Sequence, residues 1–306
     1  MSTLASWLRS SSLLMMLLSA DCWAGELVQI KWNGDYPHNS ERTWSKEYTL
    51  GWSRNFKNGT PQENGVVQRE GFLKGEIFRP KRQGPLPFVI LLHGCGGMDP
   101  TARKWTIEYA DVLNQAGYGV LALDSFTTRH VRESCGPPDG HWGRRRSEDA
   151  YSALDYLIQS GYADPNQVYV LGRSNGGLAV LMALEEIMGK DHEHKFAGGI
   201  AMVPSCKDKK TARFYAPLVV FAAGHDDAND PKYCVEMAER ERNGQPPVRL
   251  VVYRDAFHGY MDHIALHEFH GWRLGYNASA ATDTKDEILR MLRARFSGLE
   301  SGIEHK

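Results

Sequence analysis

The sequence predicts an α/β fold: a mostly parallel central sheet with helices on both faces. Three observations carry this. Six short apolar runs lie at residues 88–92, 120–123, 168–171, 198–203, 218–223 and 248–253. Continuous apolar runs of that length read as strands buried on both faces. The stretches between them are helical in pattern, and strands alternating with helices call for parallel crossovers. Finally, the polar residues gather just after the runs, and open parallel sheets bind ligands at the carboxyl ends of their strands.

Length and composition agree with one large domain. The chain has 306 residues, 42% of them hydrophobic, enough for a sizeable core. Its net charge of −1 argues against a nucleic-acid surface, which needs a basic excess. The first 24 residues read as a secretory signal. Arg9 supplies a basic start, residues 13–18 a short apolar core, and Cys22-Trp23-Ala24 small residues at −3 and −1. That core is too short for a membrane span, which takes about 20 residues. The expectation is a periplasmic or secreted protein, cut after Ala24, with no stable membrane span. Cys95, Cys135, Cys206 and Cys234 then remain, and an even number in an exported chain suggests disulfides. Three pairings are open at this point.

Taken in order, residues 25–306 form a single domain whose first part, 25–65, is a polar N-terminal extension with one or two short strands. Residues 66–79 alternate loosely and stop at Pro80, as an antiparallel edge strand would. The run 88–92 ends in His93-Gly94-Cys95-Gly96-Gly97. A helix over 102–116 stops at Gly117. The run 120–123 ends at Asp124, and a loop over 125–143 carries Arg129, His130, Cys135, His141 and Trp142. A helix over 147–159 keeps Ala150, Ala153, Leu154, Leu157 and Ile158 on one face. The run 168–171 enters Gly172-Arg173-Ser174-Asn175-Gly176, followed by an apolar helix through Leu184. A last helix covers 285–296. No long insertion separates the later strands, so no large lid and an open cleft are expected.

The sequence strand, G-x-S-x-G, helix is the context of a nucleophile elbow. A serine hydroxyl is a poor nucleophile until a histidine takes its proton, and that histidine needs a carboxylate to fix its tautomer. The expected chain order is serine, acid, histidine. Ser174 is followed by the turn Gly224-His225-Asp226-Asp227 and then by His258. The acid is Asp226 or Asp227. Two backbone N–H groups should hold the oxyanion, one from Asn175 and one from the glycine-rich loop around Cys95. His93, Arg173, His130 and Trp142 are candidates to line the substrate site. Arg144-Arg145-Arg146 reads as a solvated helix start. His263, His267, His270 and Glu268 read as a wet surface rather than a metal site. The chemistry needs no cofactor.

On these residues the chain resembles the dienelactone hydrolase family of α/β-hydrolases, over roughly residues 76–296. The matching pieces are Leu91-Leu92-His93-Gly94-Cys95-Gly96-Gly97, Asp124-Ser125-Phe126, Arg146 with Asp149-Ala150, Gly172-Arg173-Ser174-Asn175-Gly176-Gly177, Gly224 with Asp227 and Pro231, and Ala256 with His258-Gly259. The resemblance implies an α/β-hydrolase fold and the Cys95 N–H as an oxyanion donor. The family's acid lies three residues after the glycine, which selects Asp227. The fold it implies sets Cys95 near Cys135 and Cys206 near Cys234 at neighbouring strand ends, and so predicts those two disulfides. One feature departs from the pattern: founding members carry a cysteine nucleophile, and this chain has Ser174. That favours a serine esterase acting on a small-molecule carboxylic ester. The alternatives are a peptidase or acyltransferase on the same triad, or a non-catalytic envelope binding protein. Nothing in the sequence speaks to oligomeric state.

Overall fold

The computed structural model describes residues 25–33, 70–135, 139–240 and 244–306. The expected signal segment and most of the N-terminal extension lie outside those residues. The sheet strands are β1 (Glu26–Asn33), β2 (Glu70–Phe78), β3 (Leu86–Leu92), β4 (Gly119–Asp124), β5 (Ala163–Arg173), β6 (Gly198–Met202), β7 (Leu218–His225), β8 (Val248–Phe257) and β11 (Gly302–His305). Strands β9 (His267–Phe269) and β10 (Trp272–Leu274) form a separate hairpin. The helices are α1 (Pro100–Gln115), α2 (Asp139–Gln159), α3 (Asn175–Leu184), α4 (Glu186–Gly189), α5 (Lys232–Ala238) and α6 (Ala278–Arg293).

Among the described residues the main sheet has nine strands, in the order β1-β2-β4-β3-β5-β6-β7-β8-β11. β1 and β2 pair antiparallel, and β2 joins β4 antiparallel; every later pairing is parallel. The six apolar runs are β3 to β8. β2, read as an edge strand, has β1 on its outer side. Helix α2 begins at Asp139, inside the stretch read as loop, and a 3-10 turn forms at Thr127–Arg129.

Strand alternation divides the core into two halves. Phe88, Ile90 and Leu92 face α2 and α3, packing with Ala150, Leu154 and Leu157. Val89 and Leu91 face the other way, with Trp105 and Leu113 of α1 and Met291 of α6. Side chains that alternate across a pleated strand bury both faces when both are covered. Local signals set the helix ends: Asp99 caps α1 by accepting from Ala102 N at 2.7 Å, with Pro100 in the first turn.

Cys95 pairs with Cys135 and Cys206 with Cys234, as the resemblance implied. The first closes a loop with a sequence separation of 40 residues. In the chain-entropy account such a crosslink contributes about 4 kcal/mol by restricting the unfolded chain. Reduction with a thiol, which opens both disulfides, should therefore lower the thermal midpoint, and a Cys95→Ser, Cys135→Ser double variant, which keeps Cys206–Cys234, should melt between the oxidised and the reduced protein. A reduced protein that melts with the oxidised one would contradict this.

Candidate active site

The site is assembled from three loops that leave the sheet at its carboxyl edge. Ser174 follows β5 and precedes α3. Its backbone holds φ 53° and ψ −120°, a left-handed conformation unusual for a side chain other than glycine. Strain of that kind is what lifts a nucleophile out of a strand-to-helix turn. The neighbours must be small. A side chain at Gly172 would fall on the carbonyl of Gly176, and one at Gly176 would fall on the carbonyls of Leu92 and His93. Ser174 N donates to Met202 O of β6 at 2.8 Å, which ties the turn to the next strand.

The serine side chain does not cap α3. Instead, Ser174 Oγ lies 3.0 Å from His258 Nε2. His258 Nδ1 lies 2.9 Å and 3.0 Å from the two carboxylate oxygens of Asp226. Read as a chain of donors, Nδ1–H donates to Asp226 and Nε2 accepts from the serine hydroxyl. Asp226 is itself fixed: its Oδ1 accepts from Ala228 N at 2.9 Å and Asn229 N at 2.8 Å. Asp226 and His258 are 7% and 6% exposed, so the relay is screened from water apart from the serine end.

Asp227 does not fill the role the family spacing selected for it. The reason is strand register. His225 of β7 sits opposite Phe257 of β8, so the next residues, Asp226 and His258, emerge side by side. Asp227 points outward, where Arg273 binds it through Nε at 2.7 Å and Nη2 at 2.8 Å. Those hydrogen bonds hold the Asp227 carboxyl down to about 2.

The N–H groups of the first turn of α3, Asn175 included, have no partner inside the helix. Cys95 shares a cavity of about 30 Å³ with Ser174 and Asn175. Arg146 links Asn175 to the end of the strand that precedes Cys95. It is wholly buried; Nη1 donates to Asn175 Oδ1 at 2.8 Å and Nη2 to His93 O at 2.5 Å. Burial brings its guanidinium down to about 9. The arginines read as a solvated helix start are thus mostly interior, for Arg145 is buried too. Arg145 lies 3.8 Å over the Trp32 ring, and Arg129 lies 4.3 Å from the same ring.

The four substrate-lining candidates are placed elsewhere. His93 is fully buried, with Nδ1 2.7 Å from Gly94 O and Nε2 accepting from Ser125 N at 3.4 Å. Arg173 is committed to Asp262 through both terminal nitrogens, one at 2.5 Å. That pair fastens the loop after His258 to the elbow. His130 is exposed at the end of the 3-10 turn. Trp142 packs edge-on against Phe126 at 4.8 Å, behind His93. The cleft walls are instead the Cys95–Cys135 disulfide, Leu178, Ser205, Asn229 and Trp272. Trp272 was missed because it sits on a short hairpin with no apolar run to announce it. Cys135 lies near Glu133 and His270, but its sulfur is taken by the disulfide.

His93 gives a testable pH effect. Burial, aided by the charge of Arg146, lowers it from the usual histidine value to about 3. The unfolded chain therefore binds a proton below about 6.5 that the folded chain refuses until about 3. Stability should fall on acidification across that window by about 1.4 kcal/mol per pH unit from this one group. Urea unfolding at pH 7, 6 and 5 should show His93→Gln with a shallower pH slope than the parent; equal slopes would refute the assignment.

The chain has the α/β-hydrolase fold, as its likeness to solved structures shows. Its resemblance reaches the dienelactone hydrolase type among solved structures. The dienelactone hydrolase-like promiscuous phosphotriesterase P91 from metagenomic libraries superposes with a TM-score of 0.60 at 17% identity, covering 88% of this chain and 98% of that one. Residues 109–212 match the prolyl oligopeptidase family, Peptidase_S9. Esterase EstD of Thermotoga maritima is 31% identical over 110 residues, 35% of this chain and 26% of EstD. A protein of Bradyrhizobium sp. named as a probable 2-oxo-3-(5-oxofuran-2-ylidene)propanoate lactonase is 23% identical over 72% of this chain and 89% of its own length. Several curated relatives match only about a third of this chain, which spans 40% or less of their length.

Proposed function

We propose that this chain is a serine hydrolase that cleaves a carboxylic ester through Ser174, His258 and Asp226. The observation that carries the reading is the unbroken hydrogen-bond path from Ser174 Oγ to His258 to Asp226, with links of 3.0 Å and 2.9 Å. Ser174 Oγ attacks the carbonyl carbon while His258 Nε2 takes its proton. Asp226 stabilises the imidazolium without being protonated itself. The N–H groups of Cys95 and Asn175 hold the oxyanion, where preorganised donors are worth most. The imidazolium then gives its proton to the leaving alcohol. Water, activated by the same histidine, hydrolyses the acyl-enzyme.

The two disulfides support an oxidising compartment, hence a periplasmic or secreted enzyme. Among the described residues, no helix is long and apolar enough to cross a membrane. The match to a peptidase family leaves amide cleavage as the second reading. A fluorophosphonate probe should label the protein at Ser174 and fail to label Ser174→Ala. Nitrophenyl esters run beside peptide amides then separate esterase from peptidase. A protein that takes no label and turns over neither substrate would end the proposal.

A further inference from the structure

The proposed reaction leaves open what shape of ester the cleft admits, and the β9–β10 hairpin bears on this. The hairpin turns on His270 and Gly271, both with positive φ (52° and 83°). Two such residues suit the tight turn whose twist matches flanking strands. Its base is anchored on the proposed catalytic histidine: Leu274 bridges His258, and Gly275 N donates to His258 O at 3.3 Å. Its side is clipped by the Arg273–Asp227 pair, in which the Arg273 backbone N also approaches Asp227 Oδ2 at 3.3 Å. Its tip reaches the opposite loop, where His270 Nε2 lies 3.6 Å from Glu133 beside the Cys95–Cys135 disulfide. This leaves Trp272 as a wall of the cavity that holds Ser174.

Resting on the esterase reading, we propose that Trp272 is a specificity-determining residue that limits this enzyme to small, uncharged esters, with Asp227 and Arg273 as the positioning pair that keeps it there. Size follows from the wall: a large ring on a short, pinned hairpin stands beside Ser174 on one side of the cavity. Charge follows from the lining. Among the described residues, none lining that cavity is ionisable in this state: a disulfide, serines, asparagines, Leu178, Ala228 and Trp272. The nearby guanidiniums are already engaged, Arg173 by Asp262, Arg273 by Asp227, and the fully buried Arg146 by Asn175 Oδ1 and His93 O. A carboxylate on the substrate would lose its water without meeting a free cation at the described walls.

The test measures kcat/KM for two series of nitrophenyl and alkyl esters. One lengthens the acyl group from acetate to octanoate, and one keeps acetate and enlarges the alcohol; nitrophenyl hydrogen succinate supplies the anion. The parent should favour acetate over succinate by at least about tenfold. Trp272→Ala should raise the long-to-short ratio about tenfold in one series, and Trp272→Phe should stay close to the parent. Trp272→Leu serves if the alanine variant melts early. Asp227→Asn and Arg273→Gln should shift the same ratio in the same direction by a smaller factor, because an exposed ion pair is screened. Ratios within twofold of the parent in both series, or succinate turned over as fast as acetate, would overturn the proposal. A parent protein that neither labels at Ser174 nor hydrolyses any ester would sink the esterase reading as well. Labelling and turnover with unmoved ratios would sink only the role of Trp272.

Discussion

Asp226→Asn should lower kcat/KM for a nitrophenyl ester by about 10⁴-fold, with KM little changed. The cause is a reversed hydrogen bond. An amide that turns its NH₂ toward His258 Nδ1 makes that nitrogen an acceptor, so the proton moves to Nε2. Nε2 then cannot accept from Ser174 Oγ, which lies 3.0 Å away. Shape and packing are kept, so the protein should still fold. Asp227→Asn should cost less than about tenfold, because Asp227 contacts Arg273 and not the histidine. Steady-state kinetics on the two variants decide which carboxylate serves the relay. Equal losses would mean that the side-by-side emergence of Asp226 and His258 does not govern the reaction.

Arg146→Met should lower kcat about 10²-fold and leave KM within a few-fold, the pattern expected when an interaction is made mainly in the transition state. The side chain donates to His93 O and Asn175 Oδ1, next to the two groups proposed to hold the oxyanion. Removing it leaves two buried acceptors unpaired, so folding stability should also fall, by about 3 kcal/mol. Lysine offers a single ammonium that cannot span both acceptors in one plane, so Arg146→Lys should recover less than about tenfold. A boronic acid that mimics the tetrahedral intermediate separates positioning from plain structural support. Its affinity should drop in parallel with kcat/KM. A folded Arg146→Met protein with unchanged kcat and unchanged boronate affinity would refute the role.

Much of this architecture was legible in the chain because it depends on short-range pattern. β3 to β8 are buried on both faces, so their apolar runs carry no competing signal, and the glycines around Ser174 are demanded by backbone approach. The acid was harder. Asp226 and Asp227 are adjacent on one turn, and the choice between them rests on the His225–Phe257 register. No local spacing encodes that register. Arg146 had a signal that was passed over: it lies one helical turn before Ala150, on the apolar stripe that continues through Leu154 and Leu157. A cation on a buried stripe argues for a partner inside. The hairpin that carries Trp272 has strands of three residues each, too short for a period to register.

Trp32 lies on β1, the outermost strand at one end of the sheet, yet α2 links it to Asn175, the neighbour of Ser174. Two guanidiniums grip its ring, and both also approach Asp149, Arg129 at 2.6 Å and Arg145 at 3.9 Å. The residue after Arg145 is the one that holds Asn175 Oδ1 and His93 O. Trimming the chain to begin past β1 would keep every group of the proposed catalytic set and remove the counterweight beneath them. Any shortened form meant to isolate the hydrolytic unit should therefore keep the segment that carries Trp32, although the family likeness begins only near residue 76.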